Sequence, residues 1–416
     1  MNKIFNLKNG MRMAYTYDPN VHSVCWGVFV GVGSADETDA TSGISHLIEH
    51  MCFKGTDTRS AFDIVRETED LGANLNAFTT KEQTAYYIQC VDDSVERCVE
   101  ILADIVLHRT FDEQELEREK EVVIEEIAMS EDTPDDLAGE LAGEAFWGED
   151  SLARPILGSK QNVSGFSREQ LLSHVGRYYT AQNAVLSVVG NIDEGEAKRL
   201  AERYFGFPQG EVAHTYPVCE RGHRQIFKQK DVEQCNVVLS FDGLARYHQD
   251  TYASMVLGAV LGGGMSSILF QRVREELGLV YSIYTYGSQY EGRGSFNIYL
   301  GTTPAKLPLA IKTVANVIEE LKLNGITPEQ LERGRNQSLS NYVFGLENNM
   351  AVMRVQARSL LYKSEPFDAD TEIAKLKQVS LEDVNALAKR LFADTPAVGL
   401  VAKENMDCVG YFNGKQ

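Results

Sequence analysis

The sequence has no apolar run approaching the roughly eighteen residues that span a bilayer, and MNKIFNLKNGMRMAYTYD at its start lacks the apolar stretch of an export signal. These absences predict a soluble, non-exported chain in the cytoplasm, with no membrane partner. There is no CxxC pair either. The seven cysteines, Cys25, Cys52, Cys90, Cys98, Cys219, Cys235 and Cys408, are scattered and odd in number, which argues against a disulfide framework and for reduced core thiols in a reducing compartment. Positive charge is in deficit: 40 Lys and Arg against 60 Asp and Glu give a net charge of −20. A phosphate backbone would be repelled, so no nucleic-acid partner is expected. Residues 1–210 hold 37 acids and 18 bases, nearly all of the excess. Such a field keeps a helical surface soluble and also attracts cationic peptides.

At 416 residues with 43% hydrophobic side chains, the chain can bury the cores of two or more domains. MRMAYTY after Asn9-Gly10, and VHSVCWGVFVGVGSA, read as strands. TSGISHLIEHMCFKG reads as a helix with a Thr/Ser start and a glycine stop, and a second helix runs from Ser60 to Asp70 before Leu71-Gly72. ANLNAFTTKEQTAYYIQCV, rich in aromatic and β-branched residues, predicts two strands with a turn near Lys81-Glu82. Helices are expected over about 92–108 and 112–130, and NAVLSVVGNI as a buried strand. GFPQGEVAHTYPVCERG is aperiodic, rich in Pro, Gly and polar residues, and marks a linker.

The pattern then restarts. VVLSFDGLA corresponds to GVFVGVGSA, TYASMVLGAVLGGG falls where the first helix fell, VREELGLVYSIYTY matches VRETEDLGANLNAFTT, and TPEQLERGRNQ matches FDEQELEREKE. The expected fold class is α+β, with two homologous domains (1–207 and 223–416) joined by a linker (208–222), each an antiparallel sheet packed with helices. The halves differ in their chemistry. Aligning Leu116-Glu117-Arg118 with Leu331-Glu332-Arg333 puts Gly334 opposite Glu119 and Asn341 opposite Glu126, and the second half has no HxxEH.

In the first half, His46 and His50 are one helical turn apart, so both imidazoles reach one metal ion, and Glu49 lies near the same face. H-x-x-E-H is the inverted zinc-protease signature. A catalytic zinc takes three protein ligands and leaves one position open. Helix 112–130 offers the third, because Glu119 and Glu126 are two turns apart on one face: one carboxylate to bind and another to orient a histidine. Their joint absence from the half without HxxEH supports this.

SGISHLIEHMCFKGT, LGANLNAFTTKEQTAYY, LGGGMSSILFQRVREELGLVYS and YTAQNAVLSVVGNI, with Glu126 76 residues after His50, together resemble the pitrilysin or insulinase family. The resemblance covers essentially the whole chain and is nearest the short branch that includes mitochondrial processing peptidase and bacterial peptidases of similar length. It implies one Zn2+ per chain held by His46, His50 and Glu126, with Glu49 as general base and Glu119 as the acid supporting the ligands. The resemblance also implies an Arg and a Tyr seven residues apart that stabilise the oxyanion. They match Arg274 and Tyr281, with Arg272 a neighbouring alternative. Asn76-Ala77-Phe78 matches the strand that pairs with an extended substrate. The implied activity is zinc-dependent endoproteolysis of unfolded peptides in a chamber. Long members of the family are four-domain clamshells, of which this chain is half, so a homodimer with composite active sites is the implied assembly. Two alternatives share the fold: a non-catalytic core or assembly subunit, as in the respiratory bc1 complex, and the active subunit of a heterodimeric processing peptidase. The intact HxxEH, Glu119 and Glu126 argue against the first, and the Arg274/Tyr281 pair against the second.

Overall fold

Six strands, β1 (Lys3–Asn6), β2 (Arg12–Tyr17), β3 (Ser23–Val30), β4 (Asn74–Thr79), β5 (Thr84–Val91) and β6 (Ala184–Gly190), pair in the order β1-β2-β6-β3-β5-β4. Five more, β7 (Gln225–Gln229), β8 (Cys235–Asp242), β9 (Val280–Tyr290), β10 (Arg293–Thr302) and β11 (Ala397–Ala402), pair in the order β7-β11-β8-β10-β9. With β1 set aside, the two sheets have the same connectivity, which is the duplication expected from the sequence. The computed structural model describes residues 2–214, 216, 220–222 and 224–413. Parts of the expected linker, including Cys219, lie outside these residues. The other six cysteines are free and buried. Among the described residues, no helix is long and apolar enough to cross a membrane.

Both sheets are antiparallel as expected, apart from one parallel pair in each, β2 with β6 and β7 with β11. Parallel neighbours need a long crossover, and these pairs are joined through the helices between them in sequence. The joint between helix and edge strand is repeated in both halves: Gly72 and Gly278 follow Leu71 and Leu277 with φ of 61° and 59°, a left-handed turn that glycine adopts without a Cβ clash. β4 and β9, the strands entered through these turns, lie at the open edges of their sheets.

One face of the first sheet packs against helices that include Ile44–Met51 and Val95–Leu107, through Val24, Trp26, Val28, Leu47 and Leu102. Its other face, with Cys25, Phe29, Val185 and Val189, is covered by Met353, Ala357 and Leu360 of the helix Asn349–Lys363. With both faces covered, β6 is buried at every position and reads as an unbroken apolar run. In the second sheet, Leu137, Ala138 and Ala142 of the helix Pro134–Trp147 pack on Val238 and Val401.

The chain divides into two units, Met1–Ala128 with Arg154–Pro217 and Phe344–Ala369, and Met129–Ala153 with Val218–Val343 and Asp370–Gln416. The units depart from the halves 1–207 and 223–416 in two segments, because each half contributes one helix to the other half's sheet. Each exchanged helix buries its apolar stripe on the strands it covers, a long-range preference invisible to local periodicity.

Candidate metal centre

The helix Ile44–Met51 buries Ile44, Leu47, Ile48 and Met51, positions i, i+3, i+4 and i+7 of one stripe, and so turns His46, Glu49 and His50 away from the core. The expected Thr/Ser start is not its cap. The N-cap is Gly43, with φ 97° and no side chain to accept a hydrogen bond. A Cβ there would also meet the Leu157 carbonyl oxygen at 2.7 Å. Glu37 supplies the cap instead, its two carboxylate oxygens accepting from the backbone N–H of Gly43 (2.7 Å) and Ser45 (2.8 Å). Burial pushes the Glu37 carboxyl up to about 7, against the pull of these two donors.

The third candidate ligand lies on the helix Glu113–Asp132, whose buried stripe is Leu116, Glu119, Lys120, Val123 and Ile127. Glu119 thus occupies a position where an apolar residue is usual, and a buried carboxylate must be paired. His50 Nδ1 donates to its Oε1 at 2.8 Å, and Lys54 Nζ lies 2.6 Å from its Oε2. Burial alone would raise the Glu119 pKa, but these partners hold it below the usual carboxylate range. The same pairing fixes the ring of His50 and directs its Nε2 outward. Lys54 escaped sequence reasoning; its signal was a lone cation just beyond the histidines.

Glu126, two turns along the helix, faces both imidazoles. Its Oε2 lies 3.8 Å from His46 Nε2 and 3.5 Å from His50 Nε2, and one atom from each of the three residues falls within 4.8 Å of the others. The two separations exceed hydrogen-bond length. They are close to the edge of a tetrahedron around one ion, about 3.3–3.4 Å at metal–ligand distances of ~2.0–2.1 Å. Among the described residues the His46 Nδ1 is buried with no hydrogen-bond partner, and its Nε2 is turned toward Glu126. A neutral imidazole carries one lone pair, and with Nδ1 turned into the protein the Nε2 lone pair is the one left for an ion. Burial, helped by His50, pushes the His46 pKa down to about 4 and keeps it neutral. For His50, burial is outweighed by the Glu119 hydrogen bond and the Glu126 charge, and its pKa is raised. The residues therefore fit a divalent ion of zinc type. With three candidate ligands and a Glu126 side chain 39% exposed, an ion held here would keep a fourth position open, as a catalytic zinc does.

Glu49 is no part of this triad. Its Oε2 accepts from the Thr79 hydroxyl at 2.6 Å, a partner that sequence reasoning missed because it lies 30 residues away on β4. Burial raises the Glu49 pKa, opposed by that hydrogen bond and by the charge of His50. Asn76, Ala77 and Phe78 lie on the same edge strand. The Phe78 ring packs with Phe29 (6.4 Å) and Tyr87 (6.1 Å) under the Arg354 guanidinium, on the sheet face away from Glu49, so only its backbone is available for pairing. The Ala77 N–H is held by the Asn76 Oδ1 at 2.7 Å.

The second unit carries Arg274, on the short π-helical segment Phe270–Glu276, and Tyr281 on β9. Arg272 is engaged with Glu320 at 3.0 and 3.3 Å, whereas Arg274 overlies the Phe270 ring at 4.7 Å and has no ion pair among the described residues. Tyr281 is 59% exposed, and its hydroxyl has no hydrogen-bond partner among the described residues. In the region matching the metal site, Gly334 lies against the helix Thr251–Gly262, where an added Cβ would come within 2.4 Å of Val260 Cγ2 and 3.5 Å of Val256 Cγ1. Two valines four residues apart and a glycine thus stand where the first unit has two histidines and Glu119. An apolar helix contact replaces the ligand set.

Residues 12–160 match the family described as insulinase (peptidase family M16), and residues 165–338 match the peptidase M16 inactive domain. The first span holds every candidate ligand and the second holds Arg274 and Tyr281. Over 403 residues the chain is 39% identical to a Bacillus subtilis protein named uncharacterized zinc protease YmxG, covering 97% of this chain and 98% of the relative. Among solved structures, the peptidase M16 inactive domain from Pseudomonas fluorescens superposes with a TM-score of 0.90 at 20% identity, covering 97% of this chain and 98% of the other. A chain of complex III2 from Candida albicans superposes with a TM-score of 0.86 at 18% identity, covering 99% of both. At such identities the likeness to these structures is one of fold.

Proposed function

This chain belongs to the insulinase family, peptidase family M16, and from that premise we propose that it is a zinc-dependent endopeptidase cleaving extended, unfolded peptides. The observation that carries the reading is the convergence of His46, His50 and Glu126 on one point, with an open side and with Glu49 beside it outside the ligand set. Zinc held there would polarise the scissile carbonyl and acidify the attacking water. Glu49 takes the proton from that water and returns it to the leaving amine. Glu119, itself held by Lys54, keeps the His50 ring in place. The substrate backbone lies along the open edge of β4 as an added strand, which selects extended chains with little regard to side chains. The free cysteines fit a reducing, cytoplasmic setting.

The test is a cleavage assay on a small, tightly folded domain and on its unfolded, alkylated form. The unfolded form should be degraded, the folded one should survive, and a zinc chelator should stop the reaction. Equal cleavage of both forms would rule out a requirement for strand addition.

The proposal extends to a homodimer in which each active site is composite, the partner's second unit supplying Arg274 and Tyr281 to stabilise the oxyanion. The uncommitted Arg274 and the exposed Tyr281 hydroxyl support this role. Glu49→Gln chains co-expressed with Arg274→Ala/Tyr281→Phe chains should then regain activity. Random assortment makes about half the dimers mixed, each with one working site of two, so recovery should approach roughly a quarter of wild type. Purified mixed dimers no more active than either parent would confine the pair to its own chain or remove it from the chemistry.

A further inference from the structure

β4 and β5 meet in a two-residue turn in which the Thr80 N–H donates to the Gln83 carbonyl at 2.8 Å. Backbone groups of an antiparallel edge strand alternate between the partner strand and the open edge. Thr80 faces β5, so Thr79 directs its N–H and C=O to the open edge, as does Ala77. The Thr79 side chain, in contrast, points to the histidine helix and donates its hydroxyl to Glu49 Oε2 at 2.6 Å. One residue therefore offers its backbone to an added strand and its side chain to the base.

We infer that Thr79 is a positioning residue that aims the general base from the strand the substrate occupies. This rests on the peptidase reading above. A β-branched side chain has few χ1 choices, so its hydroxyl follows its backbone. An added peptide strand that bonds the Thr79 backbone holds that backbone still, and the hydroxyl then holds one oxygen of Glu49, leaving the other for the attacking water. Displacement of a catalytic group by about 1 Å can cost on the order of 10²-fold in rate, so the cost of losing this contact falls on the chemical step. A peptide too short to reach along β4 leaves the base less well aimed.

The experiment compares wild type with Thr79→Val, which keeps the shape and loses the hydroxyl, and with Thr79→Ser, which keeps the hydroxyl. On a fluorogenic extended peptide, Thr79→Val should lower kcat at least about tenfold with KM within about twofold, while Thr79→Ser stays within about threefold of wild type. Zinc content should remain one per chain in both. In the Glu49→Gln background, the dissociation constant for the same peptide should be unchanged by adding Thr79→Val, since binding does not pass through the base. Wild-type kcat in Thr79→Val would overturn the inference, as would equal losses in Val and Ser or a weakened peptide dissociation constant. If wild type cleaves no peptide at all, the peptidase reading fails first and this inference with it, a result distinct from any pattern among the Thr79 variants.

Discussion

Replacing Glu49 with Gln is expected to abolish hydrolysis of unstructured peptides while zinc stays bound at one ion per chain. The two side chains have the same shape, and the Gln carbonyl oxygen can still accept from the Thr79 hydroxyl that now holds Glu49 at 2.6 Å. What is lost is the ability to take a proton. General-base catalysis is worth roughly 10²–10⁴-fold, and that is the fall expected in kcat. The raised pKa of Glu49, caused chiefly by burial, brings the base nearer to the pH at which it works, as efficient proton transfer requires. Zinc content by mass spectrometry and initial rates on one fluorogenic peptide decide the matter. An active Glu49→Gln protein would remove the residue from the chemistry, and a zinc-free one would make it a ligand.

The opposite signature is expected for the ligands. His46→Ala, His50→Ala and Glu126→Ala should each lose the metal, because a three-point site becomes a two-point one and the open position is already given to substrate and water. Glu119→Gln should behave differently. It leaves all three ligands but weakens the hold on His50 Nδ1, so zinc affinity should fall roughly 10–100-fold without the site being emptied in excess zinc. Competition against a chromophoric chelator separates the two classes. Stoichiometric zinc in Glu126→Ala would send the search for the third ligand elsewhere on the acidic helix.

Much of this arrangement is local and hence readable in one dimension. The spacing of His46 and His50 places two imidazoles on one helical face whatever surrounds the helix, provided the apolar stripe of Ile44, Leu47, Ile48 and Met51 finds a core. The duplication is legible because both halves need the same joints, including a glycine at positive φ after Leu71 and again after Leu277. The loss of Glu119 and Glu126 in the second half is legible as well, and the structure supplies a physical reason at the first of these positions: Gly334 admits Val260 to a place that a side chain would fill.

Sequence alone determined the types and helical spacing of the candidate ligands and the repeated α+β architecture. Helical spacing left open which of two acids faces the imidazoles and the family resemblance assigned Glu126; in the structure Glu126 faces both rings and Glu119 holds His50 Nδ1. Tertiary structure decided that the metal helix is capped by Glu37 in place of its own Thr/Ser start, that Lys54 holds Glu119, and that Thr79 reaches Glu49 from a strand 30 residues away. It decided that each half lends a helix to the other's sheet. The physical reason is common to these cases. Periodicity and turn chemistry act over a few residues, whereas hydrogen-bond satisfaction of buried groups and closure of apolar faces are settled by whichever segment the finished fold brings alongside.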